Sequence, residues 1–218
     1  MTIFFQKELE KIKKLILSLG VMVEERMCLA IQAIENSDPD IAATIIKSDY
    51  EIDEKEVEVE NECLKIITLY QPVAADLRFL VAVIKINNDL ERIADEAVNI
   101  AERVTNITEK RDEAFPFDYS QMSGIVEDML KKSLDALVNL DVDLAFKVVT
   151  IDDDVDDLHA TAYDLIKKEM QKTPDKAESL INLYLISRHL ERIADHATNI
   201  AEEVIYLVEG EIVRHGNY

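Results

Sequence analysis

The chain has 218 residues, 48% hydrophobic and 32% charged, with four glycines and four prolines. So few breakers among abundant Ala, Leu, Ile, Glu and Lys exclude a turn-rich all-β fold and point to an all-α one. A net charge of −21 repels nucleic acid and anionic membrane, and suits cations and basic protein partners.

Apolar residues recurring at three- and four-residue steps predict a first helix over 3–36, with Gly20 as a possible kink. Met1–Leu9 lacks a basic start followed by an apolar run, so no signal peptide is expected. Ser37-Asp38-Pro39 is a cap-then-Pro start for a second helix over 40–69. Pro72 precedes a third over 73–107. Its longest apolar run, Phe79–Ile84, is far short of the roughly 20 residues a membrane helix needs, so no membrane insertion is expected. Residues 108–117 read as a linker between a first repeat (1–107) and a second (118–218). The second repeat predicts helices over 118–139, 143–171 and 175–210. Gly124 is again a possible kink, Thr173 an N-cap ahead of Pro174, and Gly210 a C-terminal stop. Cys28 and Cys63 lie inside helical patterns with no paired spacing and read as core thiols of a reducing, cytoplasmic compartment.

The chain repeats itself. Leu90–Glu102 and Leu190–Glu202 share 11 of 13 residues at an offset of 100. Upstream, Asp49–Asp53 matches Asp152–Asp156, and Asp40–Ala42 matches Asp143–Ala145, at an offset of 103. The difference belongs in a loop, which absorbs length changes as a helix cannot. Six long helices in two copies give two tandem antiparallel three-helix bundles.

The repeated segments carry acidic stripes. At ~100° per residue, Glu91, Asp95, Asn99 and Glu102 share one face of the third helix. That face lies nearly opposite the apolar one holding Leu90, Ile93, Ala97 and Ile100. Glu191, Asp195, Asn199 and Glu202 do the same in the second repeat. Asp49, Asp53 and Glu56 line one side of the second helix, with Asp152, Asp156 and His159 as their counterparts. Carboxylates four apart repel by a few tenths of a kcal/mol, and the second repeat spells the same pattern again. Converging carboxylates from two neighbouring helices offer hard oxygen ligands to Mg²⁺, Ca²⁺, Mn²⁺ or iron, with zinc possible. A stripe turned from the core makes an open surface site. The plain alternative is a solvated face. His189 and His196 fall off the stripe and read as surface or packing residues. Arg92 and Arg192 lie beside the acids, to pair with them or to hold an anion.

Gln71-Pro-Val-Ala-Ala-Asp-Leu-Arg78 followed by Asp89–Glu102, with Asp49-x-x-Ile-Asp53-x-x-Glu56 upstream, resembles the signature of the PhoU family over nearly the whole chain. The resemblance implies two three-helix bundles with Glu/Asp-x-x-x-Asp motifs that in some family members hold surface multinuclear clusters of iron or zinc. It assigns Asp49, Asp53, Glu91 and Asp95 to one site, and Asp152, Asp156, Glu191 and Asp195 to the other. Asn99, Glu102, His159, Asn199 and Glu202 are weaker candidates. The implied function is a cytoplasmic, non-catalytic negative regulator of phosphate uptake and of the phosphate-starvation response. Its implied partners are the ATPase subunit of the phosphate ABC transporter and a sensor histidine kinase, with a homodimer as the unit. A regulator of a low-affinity phosphate or other ion transporter is the alternative, and a metal-dependent hydrolase a further one. A ferritin-type iron bundle would need Glu-x-x-His pairs, which the sequence lacks. The second repeat reads Gln171-Lys-Thr-Pro-Asp175 where the first has Gln-Pro and Asp-Leu-Arg, and has His159 for Glu56.

Overall fold

The computed structural model describes residues 3–108, 116–211 and 213. Most of the expected linker, 109–115, lies outside the described residues. Among them are seven α-helices and no strand: α1 (Ile3–Asn36), α2 (Pro39–Lys47), α3 (Tyr50–Tyr70), α4 (Ala74–Thr108), α5 (Ser120–Asn139), α6 (Val142–Lys172) and α7 (Ala177–Glu209). A short 3₁₀ turn, Pro174–Lys176, leads into α7.

The punctuation works largely as the sequence suggests. Asp38 accepts from the N–H groups of Asp40 (2.9 Å) and Ile41 (3.2 Å), with Pro39 in the first turn of α2. Asp141, its counterpart at the repeat offset, accepts from Leu144 N–H at 2.9 Å and starts α6. Gly210 ends α7 with φ +78° and its N–H on Tyr206 O, a left-handed cap natural to glycine. Thr173 does not cap the next helix. Its hydroxyl donates back to Glu169 O at 2.9 Å, closing α6 instead.

One expected helix is broken. The second helix divides at Ser48–Asp49 into α2 and α3, whereas its counterpart α6 runs through unbroken. The difference is Arg26, only 6% exposed on α1. Its guanidinium donates to Ile45 O (2.7 Å) and Ser48 O (3.0 Å), the carbonyls at the break. At the same offset of 103, the residue in α5 is Met129, which is apolar and buried. It has nothing to offer a carbonyl, and the helix beside it stays whole.

The two repeats pack side by side. The third helices α4 and α7 make the most extensive contact and α1 crosses α5. Buried alanines (Ala94, Ala97, Ala101, Ala194, Ala197, Ala201) keep α4 and α7 slim and let them approach. A polar seam is set into this contact. Glu96 meets His189 Nδ1 at 2.5 Å and Arg192 Nη1 at 3.1 Å. Asp89 meets His196 Nδ1 at 2.9 Å and Asn199 Nδ2 at 3.2 Å. Positions 89 and 96 thus pair with 196 and 189, as a pseudo-twofold relation of duplicated helices requires. The first repeat supplies the acids and the second the histidines. Although Glu96 is buried, which raises its pKa, its hydrogen bonds with His189 and Asn99 and the charges of His189 and Arg192 bring it below its usual value. The two histidines are therefore interface residues. Cys63 is fully buried, whereas Cys28 is only half-buried and its thiol donates to Glu127 at 3.1 Å.

Neither Gly20 nor Gly124 interrupts its helix. Gly20 is a close-approach site: an added Cβ would stand 3.0 Å from Leu134 Cδ2 across the α1/α5 crossing. At Gly124 an added Cβ meets nothing within 4 Å. Gly124→Ala should therefore raise stability by about 0.5–1 kcal/mol through the lost flexibility of the unfolded chain. Urea unfolding measures it, and a lower midpoint would mean that α5 needs a glycine there.

Candidate functional site

In the first repeat the expected residues do meet across α3 and α4. Asp49 stands at the break that Arg26 holds, and Asp53 follows one turn along α3. Asp49 is half-buried, and its carboxyl is raised by that burial, then by Asp53 and Asp95. Glu91 is raised by burial, then by Asp95, with Arg92 opposing and Glu56 and Asp53 adding. Asp95 is likewise raised by burial and by Asp53 and Glu96, against Arg92. Glu56 is raised by burial, then by Glu60 and Asp53. These carboxylates of α3 and α4 lie near enough to repel one another. Two of their oxygens, Asp49 Oδ1 and Glu91 Oε2, are buried without a hydrogen bond. Arg92 answers them weakly. It lies 3.5 Å from Glu91 and 3.6 Å from Asp95, on a side chain 55% exposed.

The second repeat builds the same arrangement from α6 and α7. The Asp152 carboxyl is pushed up to about 6, first by burial and then by Asp195 and Asp156. Glu191 is raised by burial and Asp195 against the pull of Arg188, which it meets at 2.6 Å. Its Oε2 is another buried oxygen without a hydrogen bond. Asp195 is raised by burial and by Asp156, although the residue is exposed and so screened more than Asp152. His159 is lowered by burial and by Arg188, with Nδ1 3.1 Å from Ser187 Oγ and the ring 5.5 Å from that of Tyr184.

The stripes do not lie opposite the core. The Glu91 and Glu191 side chains are only 23% and 13% exposed. Helix α4 is covered by α1, by α2 and α3, and by α7, so it has no face opposite a single core. The stripes are seams between helices. Of the weaker candidates, Asn99 donates to Glu96 and Asn199 to Asp89, both in the polar seam between repeats. Glu102 pairs with Arg103 at 3.1 Å, and Glu202 lines a cleft with Glu56, Asp89 and Asn199.

The donor set suits a hard cation: it is all-carboxylate, with Asp49, Glu91, Asp95, Asp152 and Glu191 part-buried and raised, and with three stranded oxygens. As the side chains stand, no group of three or more His, Cys, Asp or Glu among the described residues is arranged to hold a metal ion. Engagement would need rotamer changes, which side chains at such a surface make readily. Among the described residues, no helix is long and apolar enough to cross a membrane.

Arg26 carries no motif and is invisible in the stripe pattern, yet it fixes where Asp49 stands. Arg78 closes the motif that begins at Gln71. Its guanidinium sits against Gly210, where an added Cβ would lie 2.3 Å from Nη1, and over the Tyr206 ring at 5.9 Å. That contact joins the first repeat to the end of α7, and so needs an arginine in one copy only.

The PhoU domain model matches residues 16–104 and 119–204. A Clostridium acetobutylicum protein named phosphate-specific transport system accessory protein PhoU homolog is 34% identical, covering 96% of each chain. The protein of that name from Aquifex aeolicus is 39% identical over 96% of this chain and 95% of its own. The crystal structure of PhoU from Pseudomonas aeruginosa superposes with a TM-score of 0.91 at 35% identity, covering 95% of this chain and all of that one.

Proposed function

The chain belongs to the PhoU family, and we propose that it is a cytoplasmic, non-catalytic negative regulator of phosphate uptake and of the phosphate-starvation response. It acts as a metal-binding adaptor between the ATPase subunit of a phosphate ABC transporter and a sensor histidine kinase, with a homodimer as its working unit. Relatives matched end to end and named as accessory proteins of phosphate-specific transport carry this reading.

Asp49 and Asp53 of α3 with Glu91 and Asp95 of α4 would hold one metal site, and Asp152, Asp156, Glu191 and Asp195 the other. A bound cation would supply positive charge to Asp49, Glu91, Asp95, Asp152, Glu191 and Asp195, which burial and neighbouring acids otherwise drive toward protonation. By clamping α3 to α4 and α6 to α7, such sites would fix the outer helices against the α4/α7 spine. A partner reading those faces would then meet one defined surface.

Alkaline phosphatase activity in the native host, grown in ample phosphate, tests the regulatory reading. Deleting the gene should leave the activity high, and the wild-type chain should restore repression. Activity as low as the parent's after deletion would overturn the starvation-response assignment. The complementing chain with Asp49→Asn, Asp53→Asn, Glu91→Gln and Asp95→Asn should restore repression only in part. Full restoration would separate the first site from signalling.

A further inference from the structure

Duplication makes each repeat a control for the other. At the offset of 103, the buried residues of the outer helices correspond closely, Ile66 alone facing a half-exposed Glu169. Ala42 pairs with Ala145, Ile45 with Val148, Ile52 with Val155, Val59 with Ala162 and Cys63 with Ile166, all buried. The outer faces do not correspond. On α3, Tyr50, Val57 and Leu64 are 57%, 52% and 48% exposed. They recur every seven residues, a spacing that drifts only ~20° per step on an α-helix and so forms one stripe. Their equivalents on α6 are Asp153, Ala160 and Lys167, all exposed and forming no apolar stripe. Helix α3 thus has an unpartnered apolar seam of the kind one helix offers another, and α6 has none at the matching positions.

The flanks of the stripe indicate what covers it. Asp53 and Glu60 border it on one side, with Glu54 and Glu58 on the other, all exposed. The lysines of α3, Lys55 and Lys65, are each already paired, Lys55 with Glu58 at 2.8 Å and Lys65 with Glu62 at 3.1 Å. A second copy of this chain, laid on the stripe by a twofold axis, would set these carboxylates against themselves. A helix with an apolar face and lysines or arginines beside it would instead meet both features at once. We propose that the outer face of α3 is the docking surface for a basic amphipathic helix of a partner protein. Tyr50, Val57 and Leu64 are its apolar anchors and the bordering acids are its charge filter. The stripe adjoins the seam with α4 and shares Asp53 with it, but its apolar anchors Tyr50, Val57 and Leu64 are not metal-ligand candidates, so substituting them does not touch the metal reading.

A fluorescein-labelled 21-residue helical peptide with leucine at the a and d positions and lysine at e and g serves as probe, read by anisotropy. Binding to Val57→Glu/Leu64→Glu should be at least ten-fold weaker than to the parent, although the variant carries two more negative charges. Binding to Ala160→Glu on α6 should match the parent. Equal or tighter binding to the α3 variant would mean that charge alone attracts the peptide, and would overturn the proposal. A parent dimer in sedimentation equilibrium that the same double substitution dissolves would also overturn it, in favour of a second copy. Should the glutamates lower helix content by circular dichroism, Val57→Ser/Leu64→Ser carries the same expectation of weaker binding.

Discussion

Arg26→Ala should lower stability by about 3 kcal/mol, a larger loss than an ordinary helix-surface truncation produces. Arg26 is nearly inaccessible, and its two hydrogen bonds run from a charged donor to buried backbone carbonyls. Such bonds are worth about 1.5–3 kcal/mol each. The loss falls short of twice that because Ser48 O also accepts from Glu51 N–H, and Ile45 O from Ser48 N–H. For a chain of this length, a shift in Tm of roughly 6–12 °C corresponds. Arg26→Lys should recover less than half of the difference, since a point-like ammonium does not span two carbonyls as a guanidinium fork does. Arg26→Met should recover part of it by another route. It installs the residue type that stands at 129, beside a helix that never breaks. Urea unfolding of the three variants decides the matter. A loss below about 1 kcal/mol for Arg26→Ala would place the cause of the break in the local Ser48-Asp49 sequence.

This break shows where the sequence is legible and where it is not. The duplication can be read because identical residues recur at a fixed offset, and composition and the Ser37-Asp38-Pro39 start likewise show the all-α fold and the cap at Asp38. The division of the second helix cannot be read that way. Nothing within α2 or α3 stops the periodic pattern. The determinant is one charged side chain some twenty residues upstream, on a helix whose pattern already looks complete. Its partners are carbonyls, which leave no trace in a sequence.

The site behaves similarly. A helical wheel correctly groups Glu91 with Asp95, because angle about a helix axis depends on that helix alone. It misplaces their depth, because depth depends on how many neighbours surround the helix, and α4 is covered on several sides. Hence the stripes lie in seams, with stranded oxygens at Asp49, Glu91 and Glu191. Asn99 and Asn199 share the wheel angle yet serve the inter-repeat seam, which exists only once α4 meets α7. His189 and His196 looked incidental for the same reason. Their acid partners belong to the other repeat.

The carboxylate seams carry the second large expectation. Without divalent cations, the chain should lose stability as the pH rises through the acidic range, and Asp152 should contribute most. Its folded value is about 6 against an ordinary 3.8. The folded state therefore binds this proton more tightly than the unfolded one, and the penalty grows from about pH 4 until it is complete above about pH 6. The full shift corresponds to about 3 kcal/mol, which partial exposure reduces to about 1–2 kcal/mol. Asp49, Glu56, Glu91, Asp95, Glu191 and Asp195 are shifted in the same direction. Glu96 runs the other way: its stability contribution is present at neutral pH and fades in acid. For that reason the variant, rather than the parent's whole pH profile, isolates the effect. Asp152→Asn should be more stable than the parent at pH 7 and no more stable at pH 3.5. Adding Mn²⁺, Zn²⁺ or Fe²⁺ to the parent at pH 7 should then supply the missing charge. A cation at a hundred times its dissociation constant contributes about 2.7 kcal/mol per site, and this gain should fade below about pH 6, where protons compete. Asp152→Asn together with Asp156→Asn, Glu191→Gln and Asp195→Asn should remove the gain of the second site and leave that of the first. Stabilisation by none of the three cations would leave repelling carboxylates whose relief is protonation alone, and the metal reading would fall while the pH dependence stood.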